Sequence, residues 1–190
     1  MAAHTITEMG SALLPLVPVA EPRLTGAADA TYPARDVQVL AARVVSAAAG
    51  DPTTALPTVR AVLVAGGPSA SRAADLAPMH PAALEGLKPV LRERLGDRWC
   101  TVAAARALWR LGTPPAELVA PLVDAITENG ERGALPLLVE TGAVQAVADL
   151  EQLAGRGERI RTSGADDNLV WQDERLRDQL RTGVAALRTA

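Results

Sequence analysis

The feature that most constrains this chain is self-similarity at an offset of 63 residues. The stretch "LAARVVSAAAGDPTTALPTVRAVL" (40–63) and the stretch "AAARALWRLGTPPAELVAPLVDAI" (103–126) share one plan. Each opens with an Ala-Ala-Arg helix, breaks at a glycine, and resumes after Asp51-Pro52 or Thr113-Pro114, where a capping side chain precedes a proline at a helix start. Val59 and Leu63 fall in register with Leu122 and Ile126. Between these copies, "SRAADLAPMHPAALEGLKPVL" (71–91) parallels "RGALPLLVETGAVQAVADLEQL" (132–153), each a short helix, a turn and a longer amphipathic helix. Two-helix units that recur at a fixed period cannot bury their apolar faces alone and stack on their neighbours.

A third echo links the ends. "RLTGAADATYPARDVQVLAARVV" (23–45) resembles the polar Gly-Ala-Asp loop, the aromatic and the charged helix start of residues 160–184. Helices are expected near 8–17, 35–49, 53–65, 69–78, 81–95, 98–111, 114–128, 131–140, 143–155 and 173–188. Three regions follow: a partial repeat and loop over 1–34, repeats over 35–155, and a polar loop with a capping helix over 156–190. The last helix has a narrow apolar stripe (Leu176, Leu180, Val184, Leu187) with Arg177, Arg181 and Arg188 on another side, as a cap requires. The half-hairpin at 1–34 reads as part of a longer array.

Composition agrees with helices. Apolar residues make up 48% of the chain and are mostly Ala, Leu and Val, with no Phe and one Tyr. Ala and Leu favour helix, whereas strands draw on aromatic and β-branched residues. The expected class is all-α, an α-solenoid of stacked antiparallel helical hairpins. A net charge of −3 argues against a general affinity for nucleic acid. The single cysteine, Cys100, excludes an intrachain disulfide or a cysteine metal cluster. "SALLPLVPVA" (11–20) follows Glu8, is broken by Pro15 and Pro18, and is too short to span a bilayer, so cytoplasmic residence without a membrane partner is expected.

On these residues, "VAAARALWRLGTPPAELVAPLVDAI" followed by "GALPLLVETGAVQAVADLEQL", the chain resembles the HEAT-repeat proteins, in particular the bacterial HEAT-like type found also in phycobilisome lyases. The likeness covers residues 35–190. It implies a curved stack of helix pairs with the second helix of each pair on the concave side. Function it leaves open, because HEAT arrays serve as scaffolds, adaptors, regulators and occasionally enzymes.

Little in the sequence points to catalysis. Asp166 and Asp167, with Asp173 and Glu174 close behind, read as solvated charges that suit a helix N-terminus. His4 and His80 are the two histidines, and His80 precedes Pro81 at a turn. A Cys–His pair would need Cys100 and His80 to meet. "VAGGPSAS" (64–71) lacks the lysine and spacing of a phosphate loop and reads as a hairpin break. Trp109 is expected to seal packed helices, and Trp171 to pin a loop or serve as an exposed anchor. No cofactor, metal or catalytic residue is expected.

The polar rows on the second helices are the expected working surface: Glu85, Lys88 and Arg92; Glu117, Asp124 and Glu128; Gln145, Asp149 and Gln152. With Trp171 they form the expected partner-binding set of a non-catalytic scaffold or adaptor gripping another protein. The alternative is nucleic-acid binding, as in HEAT-like DNA glycosylases, resting on the clusters Arg92, Arg94, Arg98 and Arg156, Arg159, Arg161. Handling of a chromophore protein in the manner of a bilin lyase is a third option, supported by the general likeness alone.

Overall fold

The computed structural model describes residues 9–25, 31–76, 85–131, 133–158, 160 and 166–189, with the side chains of 129 and 166–169 outside that description. All regular structure among them is helical. The helices are α1 (Val17–Leu24), α2 (Tyr32–Ala49), α3 (Leu56–Ala65), α4 (Pro68–Ala74), α5 (Lys88–Glu93), α6 (Thr101–Arg110), α7 (Pro115–Asn129), α8 (Ala134–Glu140), α9 (Val147–Gly155) and α10 (Asp166–Thr189). Short 3₁₀ turns precede α1, α5 and α9, and another follows α5. The chain divides into two compact units, Met1–Leu111 and Gly112–Ala190.

In the N-terminal unit α1 and the turn before it pack on α2. Leu13, Ala20, Ala41, Val44 and Val45 form that joint, and the Thr58 hydroxyl donates to Leu24 O at the end of α1 (2.8 Å). α4 is built from "PSASRAA", and Ser69, Ala70, Ala73 and Ala74 are all buried. Small side chains let it lie close to α2, α3 and α6, which it contacts. The break between α3 and α4 is Gly66-Gly67, at φ +72° and +77°, a region costly for any side-chain-bearing residue. The Gly67 amide donates to Asp97 Oδ2 (2.8 Å). A carboxylate thus holds the amide that a phosphate loop would offer to its ligand.

The C-terminal unit contains α7 to α10. Its interior is leucine-rich, with Leu118, Leu122, Leu138, Leu150, Leu153 and Leu180 almost wholly buried. The 63-residue register reappears as equal burial. Val59 and Leu63 are buried at 3% and 0% exposure, and Leu122 and Ile126 at 0% and 1%.

Four expectations need correction. The first helix is a 3₁₀ segment, Gly10–Leu16, followed by α1, which the pattern over 8–17 did not announce. The stretch expected as one helix over 81–95 is, from residue 85, a six-residue α-helix between two 3₁₀ turns. Thr113 caps nothing. α7 starts at Pro115 without a side-chain cap, and the buried Thr113 hydroxyl has no hydrogen-bond partner among the described residues. Finally, the last helix, expected over 173–188, begins at Asp166, so Trp171 stands inside a helix rather than in the polar loop before it.

Candidate functional site

α10 divides its length between two faces. Leu176, Leu180, Val184 and Leu187 form the buried stripe, at 6%, 0%, 6% and 1% exposure. Asp173 continues that stripe and is itself buried. Its Oδ1 accepts the Ile160 amide (2.7 Å) and its Oδ2 accepts Arg177 Nε (2.8 Å). The rest of the Arg177 guanidinium reaches the chain leaving α9, donating to Ala154 O (3.0 Å), Glu158 O (2.7 Å) and Arg156 O. Carbonyls at a helix C-terminus lack intrahelical donors and carry partial negative charge, so a buried cation suits them. Arg177 therefore anchors α10 to α9. The sequence pattern had placed it on a solvated side.

About 160° round the helix lies the second face, where Trp171, Arg175, Asp178, Thr182 and Ala186 recur at intervals of three and four residues. It borders an open groove of about 600 Å³ whose other wall is α8. Leu135, Val139, Gly183 and Ala186 make the groove apolar, while Glu140, Arg175 and Asp178 supply charge. The two helices come this close because position 183 lacks a side chain. A Cβ there would sit 2.7 Å from Leu135 Cδ1. From Arg175 to Ala186 the groove follows about three turns of α10, roughly 16 Å. Trp171 stands one turn beyond Arg175, is 55% exposed, and has the Arg175 guanidinium 5.2 Å from its ring centroid.

None of the expected partner-binding residues lines this groove, and Trp171 stands one helical turn beyond it. Glu85, Lys88 and Arg92 lie in the N-terminal unit, where Lys88 is half-buried and pairs with Glu85 (2.6 Å). Glu117, Asp124 and Glu128 are exposed on α7. Gln145, in the turn before α9, and Asp149 and Gln152 on α9 are exposed as well. The rows thus divide between two units. Cys100 is fully buried before α6, and burial, reinforced by the charge of Asp97, pushes its thiol from 9.0 up to about 12. Such a thiol is inert near neutrality. His4 and His80 lie outside the described residues, as do the side chains of Asp166 and Asp167. Among the described residues no group of three or more His, Cys, Asp or Glu could hold a metal ion. None of the helices there is long and apolar enough to cross a membrane.

The basic clusters are partly engaged. Arg94 is half-buried with Asp97 at 3.9 Å, and Arg98 lies over Trp99 at 4.6 Å. Arg159 and Arg161 fall outside the described residues. The groove itself was missed from the sequence. Its one local signal is Gly183, a residue that costs about 1 kcal/mol inside a helix unless a close neighbour requires it.

No family model, no curated protein and no solved structure matches this chain.

Proposed function

We propose that this protein is a non-catalytic, HEAT-like interaction module that docks a short helix of a protein in the groove between α8 and α10. The single observation that carries this reading is the groove: an apolar channel about three turns long, bordered by charge of both signs, with a half-exposed tryptophan one helical turn beyond Arg175. An amphipathic helix would lay residues at i, i+3, i+4 and i+7 along Leu135, Val139 and Ala186, with its flanks meeting Glu140, Arg175 and Asp178. Trp171 and Arg175 are the residue types that dominate interface energies. Polar side chains at the borders select the partner more than they add affinity. The polar rows on α7 and α9 are the competing surface.

A photo-activated cross-linker placed at Thr182 in the groove, and in a second variant at Asp124 on α7, tests the reading in extracts of the source cells. Defined protein adducts at position 182 and none at 124 support it. Adducts at 124 alone transfer the function to the polar rows, and no adduct at either position contradicts an interaction module.

A further inference from the structure

We infer that the helix taken by this groove is α10 of a second copy of this chain, laid antiparallel about a two-fold axis. This rests on the docking-groove reading above. The argument lies in the order of residues along the exposed face: a large aromatic (Trp171), a cation (Arg175), an anion (Asp178), then the small side chains Thr182 and Ala186 beside Gly183. A two-fold axis passing between positions 176 and 177 sets Arg175 opposite Asp178 of the second copy, twice by symmetry. It also sets Trp171 opposite Thr182, whose side chain is small and exposed. The parallel alternative opposes Arg175 to Arg175, Asp178 to Asp178 and Trp171 to Trp171, repelling at both charged positions.

Trp171 is 55% exposed one helical turn beyond Arg175, a large apolar surface that a neighbouring helix would cover. Asp178 can serve two arginines: Oδ1 accepts Arg181 of its own helix at 2.8 Å in an exposed pair, and a carboxylate accepts at both oxygens. The contact involves about three turns of helix from each copy, which is small for a protein interface. Association is therefore expected to be weak and to depend on protein concentration.

Sedimentation velocity of the full chain, from about 1 to about 300 µM, tests the inference. The expected result is a reversible monomer–dimer equilibrium. R175E or D178R alone weakens it about 10-fold or more, and the double exchange R175E/D178R returns it to within about 3-fold of the starting protein. W171A weakens it similarly, and circular dichroism of each variant verifies that the helices persist. A monomer throughout the range overturns the inference, as does a dimer that ignores the single charge reversals or is not rescued by the exchange. A monomer whose position 182 still cross-links to a different protein leaves the docking reading standing without the second copy. A monomer with no adduct at 182 removes both.

Discussion

Replacing Arg177 with alanine removes one guanidinium that holds a buried carboxylate and three carbonyls in the chain leaving α9. The side chains of Arg177 and Asp173 are 16% and 9% exposed, so the pair is largely shielded from water. Taking one partner from a buried pair costs about 3–5 kcal/mol, because the remaining charge stays desolvated. The freed carbonyls regain some hydration near the surface, which places the expected loss at the lower end, about 3 kcal/mol. If α10 detaches as a local unit, that loss accelerates hydrogen exchange of its backbone amides by about 150-fold. Exchange measured by mass spectrometry on peptides from 173–187 reads this directly. Arg188→Ala is the control. It removes an exposed pair with Glu151, 61% and 44% exposed, and alters exchange by less than about 3-fold. Equal effects from the two substitutions, or a change below about 3-fold for Arg177→Ala, would refute the anchoring role.

Three further outcomes are expected. With its thiol raised to about 12, Cys100 stays protonated in the fold at alkaline pH while the unfolded chain ionises near 9.0. The unfolded state then binds fewer protons, so stability falls as pH rises from 9.0 towards 12, and a disulfide reagent at about pH 8 labels Cys100 only when the chain opens. Chemical denaturation at several pH values and a labelling time course check the two halves of that statement. Gly66→Ala places a Cβ 2.6 Å from Arg94 Nη1 and 3.0 Å from Asp97 Oδ2 at φ +72°, so urea denaturation should register a loss of about 1–3 kcal/mol. Gly183→Leu drives a side chain into Leu135 and fills the groove. It should lower stability by about 1–2 kcal/mol, after the helix-propensity gain, and abolish adducts at position 182.

Much of the helical layout was legible because its signals are local. Apolar residues at helical spacing marked α2, α6, α7 and α9, and equal burial of Val59 with Leu122 and of Leu63 with Ile126 follows the repeat register. Other features depend on partners that no periodicity reveals. The start of α10 was hidden because its apolar residues there, Leu169, Val170 and Trp171, are consecutive rather than helically spaced, and Asp173 interrupts the stripe before Leu176 takes it up. Arg177 looked solvent-facing because its acceptors are backbone carbonyls of a preceding segment, and carbonyls leave no mark in a sequence. Thr113 offered a capping pattern, but α7 begins beyond it and leaves its hydroxyl buried. The groove needed two helices side by side, and α8 contributes only seven residues to announce it.

The most direct test of the central claim, that the face between α8 and α10 receives a second copy of this chain, is methyl nuclear magnetic resonance of the whole chain. Leu135, Val139 and Ala186 serve as reporters while the protein is concentrated from about 10 to about 300 µM. The account predicts progressive shifts at these three methyl groups and none at Leu63 or Leu108, which are buried in the N-terminal unit. Static groove methyls, with shifts gathered instead around the exposed Val37 and Leu40 of α2, would contradict it.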